Sequence, residues 1–140
     1  MAGTLQAQVK WVEAMRFVGR ADSGHDVRFE SVACEGHVSP SPIELFLIGI
    51  AGCTAIDVVS ILRKMREPLS DLAIATSATR AADNPKRITA IELVYTLRGR
   101  GLSREKAERA VELSRGTYCS ALASLREDCA VSSRIEIVEG

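Results

Sequence analysis

From Ile43 to Leu62 the chain is apolar almost without interruption, and no other feature limits its folding so strongly. A run of this length is enough to cross a bilayer. It carries Glu44 and Asp57, the hydroxyls of Thr54 and Ser60, and Gly49 and Gly52, and an ionised group at bilayer depth is expensive. The run therefore reads as a buried helix of a soluble protein. Ser41-Pro42-Ile43-Glu44 marks its start, with Ser41 as N-cap, Pro42 at the first helical position, and Glu44 completing a capping box. Arg63, Lys64 and Arg66 suit the negative end of the helix dipole and Pro68 forbids continuation, which predicts an end near Arg66. Apolar residues circle this helix rather than forming one stripe, so it has to be covered on more than one side.

Around it the apolar period is that of strands. Leu5, Ala7, Val9 and Trp11 alternate with Gln6, Gln8 and Lys10, as in a half-buried strand. A short strand through Phe17 and Val18, a turn at Ala21-Asp22-Ser23-Gly24 and a resumed alternation at Val27, Phe29 and Ser31 complete a meander. After the helix, Leu72, Ile74 and Thr76, then Ile91, Leu93, Tyr95 and Leu97, predict a hairpin about Asp83-Asn84-Pro85. Ser103 opens an amphipathic helix that Gly116 interrupts, Thr117 is placed to cap a further segment to about Arg126, and Val131 to Ile137 predict a last strand. Strands outnumber helices without regular alternation, so the class is α+β.

At 140 residues the chain is expected to form a single domain, residues 1–140. Its 18 basic and 18 acidic residues cancel, which leaves no broad charge for a phosphate backbone or an anionic bilayer, so neither nucleic acid nor a membrane is an expected partner. A hydrophobic content of 46% is too high for intrinsic disorder. Met1 to Lys10 shows no basic stretch followed by an apolar run, so no signal peptide is expected and the protein is placed in the reducing cytoplasm. There its four cysteines read better as free, catalytic or metal-bound thiols than as disulfides.

Cys53, inside the apolar helix after Ala51-Gly52, is the informative one: small neighbours leave room for backbone or ligand to approach. A buried thiol is equally a small hydrophobe, and only a stabilised thiolate makes it reactive. Cys119, near the restarted helix, is its natural partner candidate, because unpaired N–H groups at a helix start favour a thiolate. Cys34 with His37 has the spacing of half a zinc site but no second pair follows, and Cys129 reads as a packed or exposed thiol. His25 and His37 fall in loops and read as solvated. Asp57 lies one helical turn after Cys53, where a carboxylate would raise the thiol pKa, and reads as a structural hydrogen-bonding group. Arg16 and Arg20 flank the second strand and read as solvated unless the fold brings them to a thiolate.

Ser39-Pro40-Ser41-Pro42-Ile43-Glu44-Leu45, then Ala51-Gly52-Cys53-Thr54-Ala55 and Asp57-Val58-Val59-Ser60, with Tyr118-Cys119-Ser120 downstream and Val9-Lys10-Trp11-Val12-Glu13 upstream, resemble the OsmC/Ohr family of thiol-dependent hydroperoxide reductases, and within it the OsmC-like branch. The resemblance implies antiparallel sheets packed around a long buried central helix, in an intertwined homodimer with its sites at the subunit interface. It also implies that Cys53 attacks an organic hydroperoxide, that Cys119 resolves the sulfenic acid to a disulfide, and that a dithiol reductant, a lipoylated protein in the better-known members, closes the cycle without metal or organic cofactor. In those members a glutamate directly follows the proline and an arginine comes from the N-terminal strands. Here Ile43 follows Pro42 and Glu44 stands a step of roughly 100° further round the helix, while Arg16 is the nearest counterpart of the arginine and Arg20 the second. The alternative to a peroxidase is a non-enzymatic protein of the same fold that senses redox state or binds a small hydrophobic ligand; a third is a structural dimer with both cysteines packed.

Overall fold

The computed structural model describes residues 3–140; Met1 and Ala2, the start of the segment read for a targeting signal, lie outside the described residues. The elements are β1 (Ala7–Glu13), β2 (Arg16–Ala21), β3 (Asp26–Glu30), α1 (Pro42–Lys64), β4 (Leu69–Arg80), β5 (Ile88–Gly99), α2 (Arg104–Leu113), a π-helical turn (Ser114–Tyr118), α3 (Ser120–Ala123) and β6 (Ala130–Val138). The class is α+β, as the pattern of elements predicts. The chain divides into two compact units, Met1–Phe46 and Leu47–Gly140, with the boundary inside α1.

The first unit is the expected meander, antiparallel in the order β1-β2-β3. Gly24, at a φ of +83°, closes the turn into β3 with its amide on the Ala21 carbonyl at 2.9 Å. Phe17 and Phe29 stand opposite one another in register and stack with centroids 5.7 Å apart. β1 differs from the half-buried strand its alternation predicts: it is exposed along its whole length, because the three strands have no second sheet within their unit.

In the second unit β5 is the central strand. Ile91, Leu93, Tyr95 and Leu97 project from one face at 1% exposure or less, the period-two pattern of a strand with one covered face. β4 pairs with β5 as the expected antiparallel hairpin, whereas β6 pairs with β5 in parallel. That departs from the wholly antiparallel sheets expected. The reason is the crossover: α2, the π-helical turn and α3 carry the chain back along the sheet before β6 begins. The outer edge of β6 is covered by arginines. Arg115 donates to the Val131 carbonyl at 2.8 Å and the Ser133 hydroxyl at 2.6 Å, and Arg104 to the Ile135 carbonyl at 3.1 Å.

α1 opens as predicted. The Ser41 amide donates to Glu44 Oε1 at 2.9 Å and the Glu44 amide to Ser41 Oγ at 3.3 Å, a reciprocal capping box. Its end comes at Lys64 rather than Arg66, because Arg66 turns left-handed at a φ of 60° and the Glu67 amide reaches back to the Leu62 carbonyl at 3.0 Å. The burial expected on several sides is confined to one stripe in a single copy. Ile50, Thr54, Val58 and Leu62 are buried, while Ile48 and Ile56 are 60% and 73% exposed. Length and composition alone would let α1 cross a membrane, but this stripe is committed to the core of the second unit. At the end of β5, Gly99 is required by contact: a Cβ there would collide with the carbonyl of Pro68, just beyond α1, and press on Leu102.

The predicted break in the second helix takes another form. Gly116 and Thr117 lie within the π-helical turn, and the cap of α3 is Cys119, whose sulfur accepts the Leu122 amide at 3.5 Å. Thr117 and Tyr118 are both taken up by the π-helical turn, so Cys119 is the first residue free to cap α3. α3 then ends at Ala123, short of Arg126.

Candidate functional site

The structure brings Cys53 and Cys119 together. α1 carries Cys53 on a flank of its buried stripe, half-exposed, and the π-helical turn delivers Cys119, 3% exposed, to the start of α3. The two thiols are close enough that each shifts the ionisation of the other. Cys53 Sγ also lies 3.7 Å from Ser120 Oγ. No disulfide joins them, and all four cysteines are free.

Their surroundings polarise them in opposite directions. The Ala121 amide aimed at Cys53 pulls its pKa below the ordinary thiol value; the Ser120 hydroxyl, the Cys119 thiol and the Ser120 amide add to this against the cost of burial. Burial pushes Cys119 up, with the Leu122 amide only partly offsetting it and ionised Cys53 raising it further. Of the two, Cys53 is therefore the more readily ionised.

Beneath the pair lies a chain of hydroxyls that sequence reasoning missed. Tyr95 Oη and Thr54 Oγ1 are 2.8 Å apart, Thr54 Oγ1 and Ser114 Oγ 2.7 Å, and Ser114 Oγ donates to Asp57 Oδ2 at 2.9 Å. Tyr95, Thr54 and Ser114 are fully buried. Asp57 has the structural hydrogen-bonding part expected of it. The only signal for Thr54 was its place one turn along the helix from Ile50 and Val58, at a core position where a hydroxyl needs a partner. Around Gly52 no described residue outside the neighbouring helix backbone comes within 4 Å of where a Cβ would stand, so the space beside Cys53 is open in this copy.

Arg16 and Glu44 belong to the first unit and each is engaged there. Arg16 donates to the Glu35 carbonyl at 3.0 Å and sits 4.0 Å from Glu30 Oε1. Glu30, another residue the sequence reading passed over, is 1% exposed and stands opposite Arg16 in the β2–β3 register. The Ser39 hydroxyl and the Val38 amide donate to Glu30 Oε1 at 2.8 and 3.1 Å and hold its carboxyl below the usual range, with Arg16 adding to the effect against burial. Glu30 Oε2 faces His37 Nδ1 at 3.4 Å. Arg16 Nε and Glu30 Oε2 are buried without a hydrogen-bond partner among the described residues. Glu44 is held below its ordinary pKa chiefly by the Ser41 amide of the capping box. Arg20 pairs with Asp26 at 2.8 Å in a solvated ion pair. Cys34 and Cys129 are buried thiols, and no cluster of three or more His, Cys, Asp or Glu side chains that would hold a metal occurs among the described residues.

A family model described as OsmC-like protein matches residues 35–134. Among curated proteins, Protein YhfA of Escherichia coli (strain K12) is 37% identical over 134 residues, covering 96% of this chain and 98% of that protein. Among solved structures, a hypothetical protein from Aquifex aeolicus VF5 superposes with a TM-score of 0.88 at 24% identity, covering 99% of each chain. The organic hydroperoxide resistance protein OhrB of Bacillus subtilis superposes with a TM-score of 0.63 at 18% identity, covering 97% of this chain and 98% of that one. At these identities the two structures speak for the fold alone.

Proposed function

This chain belongs to the OsmC-like family, and from that membership together with its polarised thiol pair we propose that it is a thiol-dependent peroxidase of organic hydroperoxides. The observation that carries the reading is the pairing of two free thiols in unlike settings, Cys53 half-exposed beside the Ser120 hydroxyl and Cys119 buried under the Leu122 amide. Cys53, as thiolate, attacks the terminal peroxide oxygen: the S–O bond forms, the O–O bond breaks, and the alkoxide leaves and takes a proton to become the alcohol. The Cys119 sulfur then attacks the Cys53 sulfenic acid; the S–S bond forms, and hydroxide departs as water with the Cys119 proton. A dithiol of the lipoyl class restores both thiols by exchange. In this reading Arg16 and Glu44 assist the peroxide step, each engaged in the first unit, Arg16 by the Glu35 carbonyl and Glu44 by Ser41.

The reading takes the whole chain as one domain and the protein as a homodimer, with a second copy over the outer face of α1, where Ile48 and Ile56 are exposed. It places the protein in the cytoplasm, where four free thiols persist. A second reading, a non-enzymatic small-ligand protein, draws on a cavity of about 520 Å³ in the second unit floored by Val111, Leu122, Val131 and Ile135.

Titration of the fully reduced protein with cumene hydroperoxide, followed by thiol counting and intact mass, tests the peroxidase. Wild type consumes the peroxide and forms a Cys53–Cys119 disulfide, Cys53→Ser consumes none, and Cys119→Ser accumulates a sulfenic acid that dimedone traps. A wild-type protein that neither consumes peroxide nor forms the disulfide overturns the reading.

A further inference from the structure

The buried hydroxyl chain has a direction. Asp57 is an acceptor, so the single proton of Ser114 Oγ goes to it. Thr54 must then donate to Ser114, and Tyr95 to Thr54. All bonds are between 2.7 and 2.9 Å, and none of the three hydroxyls has access to water. Such a chain is worth more satisfied than the sum of its links, and any one link removed leaves a buried polar atom unpaired.

Its endpoints explain why hydroxyls stand here in place of a packed apolar core. Thr54 is the residue after Cys53, and Asp57 lies one turn further on the same helix. Ser114 is the first residue of the π-helical turn, and its carbonyl accepts the Cys119 amide at 2.7 Å, the bond that closes the turn. One residue thus grips α1 with its side chain and Cys119 with its backbone.

We propose that Ser114, held by Thr54 and Asp57, is a positioning residue that latches the π-helical turn to α1 and so sets the approach of Cys119 to Cys53 for disulfide closure. Disulfide geometry is narrow, and a turn with an extra residue has slack that hydrophobic contacts alone would not remove. The chemical consequence, fast resolution, rests on the peroxidase reading; the latch itself rests on geometry alone.

Two measurements separate the latch from that reading. Equilibration of the dithiol with glutathione redox buffers gives the effective concentration of the Cys53–Cys119 pair without any peroxide. Stopped-flow mixing with cumene hydroperoxide resolves sulfenic acid formation from disulfide closure. Ser114→Ala and Thr54→Val are expected to lower the effective concentration and the closure rate about tenfold, the scale of one net hydrogen bond. The rate of sulfenic acid formation should not change. Thr54→Ser, which keeps the hydroxyl, and Asp57→Asn, which keeps an acceptor for Ser114, should both close like wild type. If Ser114→Ala fails to fold by circular dichroism, the contrast of Thr54→Val with Thr54→Ser decides alone. Folded Thr54→Val that closes at the wild-type effective concentration overturns the latch, as does an equal fall in both steps. A wild type inert to peroxide overturns the peroxidase reading and leaves the glutathione result to decide the latch.

Discussion

Cys53 and Cys119 are the same amino acid in neighbouring positions, and what differs is the set of groups around each sulfur. The Ala121 amide favours negative charge at Cys53, and burial disfavours it at Cys119. An alkylation rate measured against pH, read at the individual cysteine by peptide mass because Cys34 and Cys129 are also free, reports each thiol separately in the other's serine variant. Cys53 in Cys119→Ser should reach half its limiting rate below the ordinary thiol value of about 8.5, and Cys119 in Cys53→Ser above it. Equal midpoints would remove the basis for assigning nucleophile and resolver. The linkage follows in sign: a thiol whose folded pKa is depressed stabilises the fold above its unfolded pKa, and that contribution is lost as pH falls through the depressed value. Both cysteines were legible in the sequence from their motifs. The Ala121 and Ser120 amides that tell them apart were not, because any residue supplies an amide and only the fold aims it. Glu30 escaped notice for a related reason. In sequence it is an ordinary polar residue at a strand end, and only the register against Arg16 with the return of Val38 and Ser39 makes it a buried, paired carboxylate.

Helix ends show the same division. The start of α1 was legible because Ser41, Pro42 and Glu44 are side chains with positional chemistry. Its end was legible to within two residues from Arg63, Lys64 and Pro68, but the way it stops was not, because the left-handed residue there is Arg66 rather than glycine. An L-residue there carries a conformational cost, so Arg66→Gly should raise stability by about 1 kcal/mol, with the melting temperature rising in thermal unfolding. An unchanged or lower melting temperature would show that the Arg66 side chain offsets the strain. In the second helical segment Gly116 announced a break, but the π-helical turn that results depends on the buried grip on Ser114. Parallel pairing of β6 was likewise invisible, since the alternation of Val131, Ser133, Ile135 and Ile137 is the same in either direction.

For the molecule as a whole, the hydrophobic surplus of α1 exceeds what one copy covers. Ile48 at 60% and Ile56 at 73% exposure, on a helix this apolar, call for an occupant, and a second copy is the one proposed. Sedimentation of the wild-type protein should give a dimer, and Ile48→Glu with Ile56→Glu should shift it to monomer. A wild-type monomer in dilute buffer, or one whose state follows added detergent, would count against a second copy. The sequence by itself determined the α+β class, the capped helix, the strands and the two cysteines, because these follow from local periodicity, side-chain capping chemistry and motif. Only the tertiary structure decided which groups surround each sulfur, that Ser114 joins Cys119 to the helix of Cys53, and that Glu30 is buried opposite Arg16. Those outcomes depend on backbone amides, buried hydroxyls and strand register, whose partners are distant in sequence and become neighbours only when the chain folds.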